Sequence, residues 1–394
     1  MIFDSESVFE ENVITVLKQH GWKDGVLRYP TERDLLDNWK GILYRNNNDI
    51  DRLGKYPLTD GEMTQIIEQI ETLRTPLALN SFVNGRTVSI TRDNKEDVAH
   101  FGKEVSLYIY DRKEIAGGKS TYQIAQQPVY PAKNKMLNSR RGDLVLLING
   151  MPLIHIELKK SGIPVSQATN QIEKYAHEGV FTGLFRLVQI FVAMNPDDAV
   201  YFANPGVDKF NPSYYFHWAD YNNEPICGGQ NPGKDEWKLF IGGTSGTAGL
   251  LSIPMAHPLI GFYTIADSAD GCLKVLRSYQ YIAANAISDV VRKCDWEQRP
   301  ATPGRPGGYV WHTTGSGKTM TSFKSAQLIA DSHDADKVVF LMDRIELGTQ
   351  SLKEYRSFAD SETEVQGTEN TGVLRDKLNS TNVNDTLIVT SIQK

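Results

Sequence analysis

The chain has 394 residues, 40% hydrophobic and 23% charged, the proportions of an ordinary folded protein with room for two or three domains, which excludes a disordered, collagen-like or disulfide-stapled chain. No run approaches the roughly 18 apolar residues of a membrane span, and Met1 to Trp22 is acidic and amphipathic rather than a basic-then-apolar leader, so the chain reads as cytoplasmic with no membrane partner. With 42 basic and 48 acidic residues the net charge is −6, so nucleic acid must be met by a local basic strip, Lys133, Lys135, Arg140 and Arg141 or Lys159 and Lys160, if these are not simply solvated faces.

A first helix is marked by Ser7 and Glu10 at capping-box spacing, by Phe9, Val13, Val16 and Leu17 at helical spacing, and by Gly21 where a C-cap belongs. Polar helical material follows to about Pro76. From Arg86 the pattern changes to strand-like runs at Thr87–Thr91, Val105–Tyr110, Tyr122–Tyr130, Asp143–Ile148 and Leu153–Lys159. A helix over Val165–Tyr175 and strands at Leu187–Ala193 and Val200–Ala203 complete a mixed α and β arrangement around one sheet. Tyr214, Tyr215, Phe216, Trp218 and Tyr221 read as packing, because no basic residues interleave them for base stacking. Asn222–Gly249, rich in Gly, Asn, Ser and Pro, reads as an irregular insertion. A helical pattern from Cys272 to about Lys293, a Pro/Gly loop (Arg299–Gly308), a strand at Tyr309–His312, a helix from about Gly317 and a strand at Val338–Met342 read as the opening of a parallel α/β domain. The three cysteines, Cys227, Cys272 and Cys294, have no C-x-x-C spacing and read as structural thiols of a reducing compartment.

His312-Thr313-Thr314-Gly315-Ser316-Gly317-Lys318-Thr319 lies between the predicted strand and the predicted helix, as a phosphate-binding loop requires. Gly315, Ser316 and Gly317 let backbone N–H groups approach phosphate oxygens, Lys318 meets the β and γ phosphates of ATP, and Thr319 reaches its Mg²⁺ at the helix N-terminus. His312 replaces the first glycine of the general pattern and is expected only to shape the loop. Arg277 and Gln280, at the start of the preceding helix, offer a cation and an amide that can both donate to and accept from an adenine edge. Val338 to Arg344 with Leu347 and Gln350, and Thr390 to Gln393, resemble the segments called Ia and Ib of superfamily-two helicases. An ATP-hydrolysing motor also needs an Asp-Glu pair on a later strand; Asp235-Glu236 lies upstream without such a strand, and the chain reaches Lys394 first. ATP hydrolysis is therefore expected to be incomplete here.

Asp143 to Lys159 reads as a β-hairpin turning at Asn149-Gly150. Glu157 and Lys159 share a face. A two-residue turn pairs Ile148 with Met151 and sets Asp143 on the wrong face; a three-residue loop, which pairs Ile148 with Pro152, or an equivalent bulge sets Asp143 opposite Glu157. In that second register Asp143, Glu157 and the Leu158 carbonyl can hold one Mg²⁺, with Lys159 orienting a nucleophile or stabilising negative charge, a constellation for phosphodiester hydrolysis. A hairpin salt bridge is the plain alternative. His155 shares the face of Glu157 but reads as a packed or hydrogen-bonded histidine.

Arg141-Gly142-Asp143, Glu157-Leu158-Lys159-Lys160 and Gln171 to Tyr175 resemble the PD-(D/E)xK core with the Q-x-x-x-Y helix of RecB-like nucleases, Gln171 and Tyr175 standing at i and i+4 on one helix face. Together with Gly21-Trp22, Tyr29 to Asp34 and the switch to the GSGKT loop, they make the chain similar to the R subunit of type I restriction enzymes. The resemblance implies an α/β chain with an endonuclease domain over residues 1–258 and a partial RecA-like motor domain over 259–394. It also implies ATP and Mg²⁺ as cofactors, double-stranded DNA as substrate, and methyltransferase and specificity subunits as partners. A superfamily-two helicase or remodeller with a non-catalytic N-terminal module is the alternative.

Overall fold

In the computed structural model the described residues are 2–115, 117–131, 140–229, 235–293, 307–342, 345–359 and 361–392. They form two compact units, Met1–Thr264 with Cys272–Val275, and Ile265–Gly271 with Leu276–Lys394.

The first unit opens with helix α1 (Glu6–Gln19). The expected Ser7/Glu10 box is not its cap. Ser5 precedes the helix without capping it, Ser7 lies inside the first turn hydrogen-bonded to the Ser5 hydroxyl (2.7 Å), and Glu10 is buried one turn further on. Capping boxes do occur at the next helices, where Thr31 and Asp34 start α2 (Glu32–Asn46) and Thr59 and Glu62 start α3 (Asp60–Thr72). Between α1 and α2 lies strand β1 (Val26–Arg28), and after α3 come α4 (Pro76–Asn84) and an antiparallel ribbon, β2 (Thr87–Thr91) with β3 (Glu104–Tyr108).

Strands β4 (Tyr122–Gln126), β5 (Leu144–Ile148), β6 (Met151–Leu158), β7 (Ile190–Met194) and β8 (Ala199–Ala203) join β1 in a six-stranded sheet ordered β1-β4-β5-β6-β7-β8. Its pairs are parallel at β1/β4 and β6/β7 and antiparallel elsewhere. Every residue of β4 to β8 is buried, whereas β2 and β3 alternate buried and exposed. The contrast follows from coverage: a strand covered on both faces is apolar throughout, while one with a solvated face alternates. Helix α5 (Val165–Glu178) ends at Gly179 in the left-handed conformation and lays Ala168 and Ile172 onto Phe191, Ala193, Val200 and Phe202 of β7 and β8. The segment read as an irregular insertion carries a helix, α6 (Glu236–Gly242). Its Trp237 sits edge-on to Phe9 of α1, so apolar burial supplies the order that the Gly-rich composition hides. Trp218 is fully buried and Tyr215 stacks on Phe202, consistent with packing. Helix α7 (Ala256–Gly261) follows, then two short strands, β9 (Thr264–Asp267) and β10 (Cys272–Val275), so the helix predicted from Cys272 starts later, as α8 (Ser278–Lys293). Cys272 sits in a strand, Cys227 is buried, and Cys294 lies outside the described residues.

In the second unit, α8 and α9 (Lys318–Ser332) accompany a parallel sheet ordered β11-β13-β12, from Val338–Met342, Leu387–Ser391 and Val365–Gly367. Helices α10 (Ile345–Phe358) and α11 (Thr371–Asn379) connect the strands, and Tyr355 of α10 packs against Phe323 and Phe340. The strand predicted at Tyr309–His312 is absent: these residues make no ladder among the described residues, and Tyr309 and Trp311 are exposed. Strand propensity alone does not form a strand without a neighbour to supply hydrogen bonds. Asp343, Arg344 and Gln393 lie outside the described residues.

Candidate active site

The hairpin β5–β6 turns through Asn149 (φ +53°) and Gly150 (φ +83°), two positive-φ residues as a type I′ turn needs. A Cβ on Gly150 would lie 2.9 Å from Trp39 Cα, so glycine is required for space as well as for conformation. Ile148 pairs with Met151, a two-residue turn, so of the two expected routes to the Asp143/Glu157 register it is the bulge and not the three-residue loop that operates. The register is recovered further along. Leu147 pairs with Pro152, Leu146 with Ile154 and Leu144 with Ile156, so Leu153 is a bulge residue in β6. One extra residue reverses the facing of everything beyond it, and Asp143 comes to stand across from Glu157.

Asp143 Oδ2 accepts the Leu158 N–H at 2.6 Å. Glu157 is fully buried, and neither of its carboxylate oxygens accepts an aligned hydrogen bond. Lys159 Nζ lies 3.6 Å from Glu157 Oε1, His155 Nε2 lies 3.3 Å from Oε2, and the Asp143 carboxyl is close enough to interact directly. Burial lifts the Glu157 carboxyl to about 7 against the opposing pull of Lys159, and burial with the charge of Glu157 drives Asp143 well above the carboxylate range. Lys159 Nζ donates to the Leu158 carbonyl at 2.9 Å and lies 3.8 Å from Glu6 Oε1. It is therefore buried at the site and not part of a solvated basic face.

Gln171 and Tyr175 are brought together as their spacing implied. Gln171 Nε2 donates to Tyr175 Oη (2.7 Å), and that hydroxyl donates to the Arg141 carbonyl (2.9 Å), two residues before Asp143. The pair thus ties α5 to the lead-in of β5. Arg140 is paired bidentately with Glu178 (2.8 and 2.9 Å), Arg141 is exposed with its guanidinium 5.9 Å from the Tyr29 ring centroid, and Lys160 Nζ reaches the Asp4 carbonyl; Lys133 and Lys135 lie outside the described residues.

Sequence reasoning missed Glu10. It is buried, its carboxyl is raised chiefly by that burial, it accepts from Gln126 Nε2 (2.6 Å) and Gln127 Nε2 (3.2 Å), and it feels the charge of Asp143. Its spacing from Glu6, one helical turn, was the available signal. It also missed how closely His155 approaches Glu157.

The donors fit a hard divalent cation. Two carboxylates that burial disfavours as ions, one with both oxygens lacking an aligned hydrogen bond, share a single nearby ammonium, Lys159. Among the described residues no group of three or more His, Cys, Asp or Glu side chains is arranged around a metal position. The two carboxylates Asp143 and Glu157 are the kind of pair that suits Mg²⁺, which is commonly held by one or two carboxylates and keeps several waters.

In the second unit, Gly317 (φ +79°) precedes α9, which begins at Lys318, and Gly315 (φ +77°) shapes the loop before it; Thr319 lies in the first turn. Lys318 Nζ donates to the Thr313 carbonyl (3.2 Å), as does Ser316 Oγ (2.7 Å), and His312 Nδ1 lies 3.0 Å from Ser316 Oγ, in keeping with a loop-shaping role. Gln280 is buried, with both ends of its amide on backbone: Oε1 accepts from Arg277 N (3.0 Å) and Nε2 donates to the Gly317 carbonyl (3.2 Å). Tyr279, which accepts from Arg277 Nη1 (3.2 Å), donates to the Ser316 carbonyl (2.9 Å). Arg277 and Gln280 therefore brace the loop.

Residues 4–210 match the model of the type I restriction enzyme R protein N terminus, and residues 279–394 match that of the SWI2/SNF2 ATPase. Curated relatives include the endonuclease subunits of type I restriction enzymes from Staphylococcus saprophyticus (32% identical over 400 residues) and Staphylococcus aureus strain MSSA476 (33% over 396). Each alignment covers 100% of this chain and 37% of the relative, so the chain spans little more than a third of their length. The Escherichia coli EcoprrI endonuclease subunit is 26% identical over 321 residues, 79% of this chain and 90% of the relative. No helix among the described residues is long and apolar enough to cross a membrane.

Proposed function

The chain belongs to the type I restriction enzyme R protein family, and from that premise we propose that its first unit is a Mg²⁺-dependent DNA endonuclease of the PD-(D/E)xK kind. The observation that carries this reading is the buried Glu157, its two oxygens without an aligned hydrogen bond, across the hairpin from Asp143. Asp143, Glu157 and the Leu158 carbonyl would hold Mg²⁺, which when bound supplies a Lewis acid and lowers the pKa of water. Lys159, its ammonium at this cluster, orients the attacking water and steadies the developing negative charge on the phosphodiester. Gln171 and Tyr175 hold the Arg141–Asp143 segment in register, and Tyr175, its hydroxyl raised to about 12 mainly by burial, stays protonated and keeps donating to the Arg141 carbonyl.

In this reading residues 1–258 are the nuclease domain and 259–394 the first part of a RecA-like motor domain. Gly315 to Thr319 bind the ATP phosphates there, Thr319 meets the nucleotide's Mg²⁺, and Arg277 and Gln280 keep the loop in shape for the nucleotide. Within the longer protein the motor translocates duplex DNA, and methyltransferase and specificity subunits choose the site. Metal-dependent nicking of supercoiled plasmid is the test: it is expected from this chain and is lost in Asp143→Ala, Glu157→Ala and Lys159→Ala. Cleavage at the unaltered rate in any of the three overturns the assignment of that residue.

A further inference from the structure

His155 belongs to no chemistry assigned so far, yet its Nε2 lies 3.3 Å from Glu157 Oε2. Its ring is fully buried in an aromatic box, with centroids 5.4 Å from Phe181, 6.0 Å from Phe191 and 6.1 Å from Tyr130. Two polar atoms of the described residues contact it, Tyr130 Oη, 2.8 Å from Nδ1, and Glu157 Oε2, 3.3 Å from Nε2, and the charge of Asp143 also acts on the ring. Gly142, beside Asp143, leaves room for this pair. A Cβ there would lie 2.5 Å from Tyr130 Oη and 2.9 Å from His155 Cε1.

The tautomer follows from what faces each nitrogen. If Nδ1 carried the proton and donated to Tyr130, the Nε2 lone pair would point at a carboxylate, which when ionised only accepts. If Tyr130 donates to Nδ1 instead, Nε2 carries the proton and can donate to Oε2, a charge-assisted bond. The second arrangement pairs Nδ1 with Tyr130 and turns the Nε2 proton of a buried neutral imidazole toward Oε2 across 3.3 Å, a contact between two atoms that otherwise have no aligned hydrogen bond and that do not form one with each other in this structure.

We propose that His155, fixed in one tautomer by Tyr130, is a positioning residue that holds Glu157 Oε2 through its Nε2–H and so orients this carboxylate toward a divalent cation. This rests on the cation reading of Asp143 and Glu157 given above. Groups that orient metal-ligating side chains typically contribute ten- to a hundredfold in metal affinity, so the effect is large enough to read, roughly tenfold or more.

The experiment measures Mn²⁺ binding to the whole chain by calorimetry, alongside the Mg²⁺ concentration that half-saturates plasmid nicking. The variants are His155→Leu, His155→Gln, Tyr130→Phe and Glu157→Gln, with circular dichroism and metal-free unfolding as folding controls. The proposal expects His155→Leu and Tyr130→Phe to weaken Mn²⁺ roughly tenfold and to raise the half-saturating Mg²⁺ in step. In His155→Gln, whose amide N–H can replace Nε2–H, most of the affinity returns. If His155→Leu does not fold, Tyr130→Phe decides, since it removes a single oxygen. Folded His155→Leu and Tyr130→Phe variants with unaltered Mn²⁺ affinity overturn the positioning role while leaving the cation site standing. Mn²⁺ binding that is absent from the unaltered chain, or unchanged in Glu157→Gln, overturns the cation reading and the positioning role with it.

Discussion

Asp143 and Leu158 are joined across the hairpin by a 2.6 Å hydrogen bond from the Leu158 N–H to Asp143 Oδ2. The bond uses one oxygen of the aspartate to lock the register that sets it against Glu157. A one-residue slip would break the bond and send the two carboxylates to opposite faces.

The turn that starts this register is expected to tolerate no side chain. Gly150→Ala places a Cβ against Trp39 in a positive-φ conformation, at a cost of about 1–3 kcal/mol. Urea unfolding measures that loss, and nicking falls with it because β5 and β6 no longer meet in register. An unchanged unfolding midpoint would show that the backbone accommodates the methyl group.

Glu157→Gln is expected to stabilise the cation-free protein at alkaline pH while abolishing nicking. The folded-state pKa of Glu157, about 7, lies above its ordinary value of 4.5. Folding therefore favours the protonated form, and the associated stability is fully present below about pH 4.5 and lost as pH rises through 7. That loss is on the order of 3 kcal/mol. In chelator, the advantage of Glu157→Gln over the unaltered protein should grow from pH 5 to pH 8 in urea unfolding. Added Mg²⁺ should stabilise only the unaltered protein. A pH-independent difference between the two would sink this account of the buried carboxylate.

Tyr175→Phe removes the donor to the Arg141 carbonyl and the acceptor for Gln171. A loss of about 1–2 kcal/mol in unfolding free energy is expected, with slower nicking because the segment leading to Asp143 is no longer tied to α5. Nicking at the full rate despite the lost stability would confine Tyr175 to a structural part.

In the second unit, Lys318→Ala is expected to weaken ATP binding by at least roughly tenfold, the size of one hydrogen bond to a charged group. Calorimetry on the whole chain reads this directly. Equal affinity in the variant would mean that the ammonium, which rests on the Thr313 carbonyl, does not turn to phosphate.

What the sequence by itself determined is local. Short strand-like runs placed most of the strands, the Asn149-Gly150 pair placed the turn because both residues must take positive φ, and the i, i+4 spacing of Gln171 and Tyr175 put both on one face of α5. The Gly315-Ser316-Gly317-Lys318 run announced a loop at a helix N-terminus, and such a loop leads into α9. Everything that depends on which segments meet was decided by the tertiary structure. That the bulge falls at Leu153 is not legible in a strand buried on both faces, yet it alone restores the facing of Asp143 and Glu157 after a two-residue turn. Glu10 reaches the site from α1, and His155 acquires a partner in Tyr130, only because residues far apart in the chain are packed into one desolvated space. Tyr309–His312 has strand composition but no adjacent ladder, and stays out of the sheet among the described residues. Propensity acts within a few residues, whereas register, desolvation and ladder pairing are collective properties of the packed sheet.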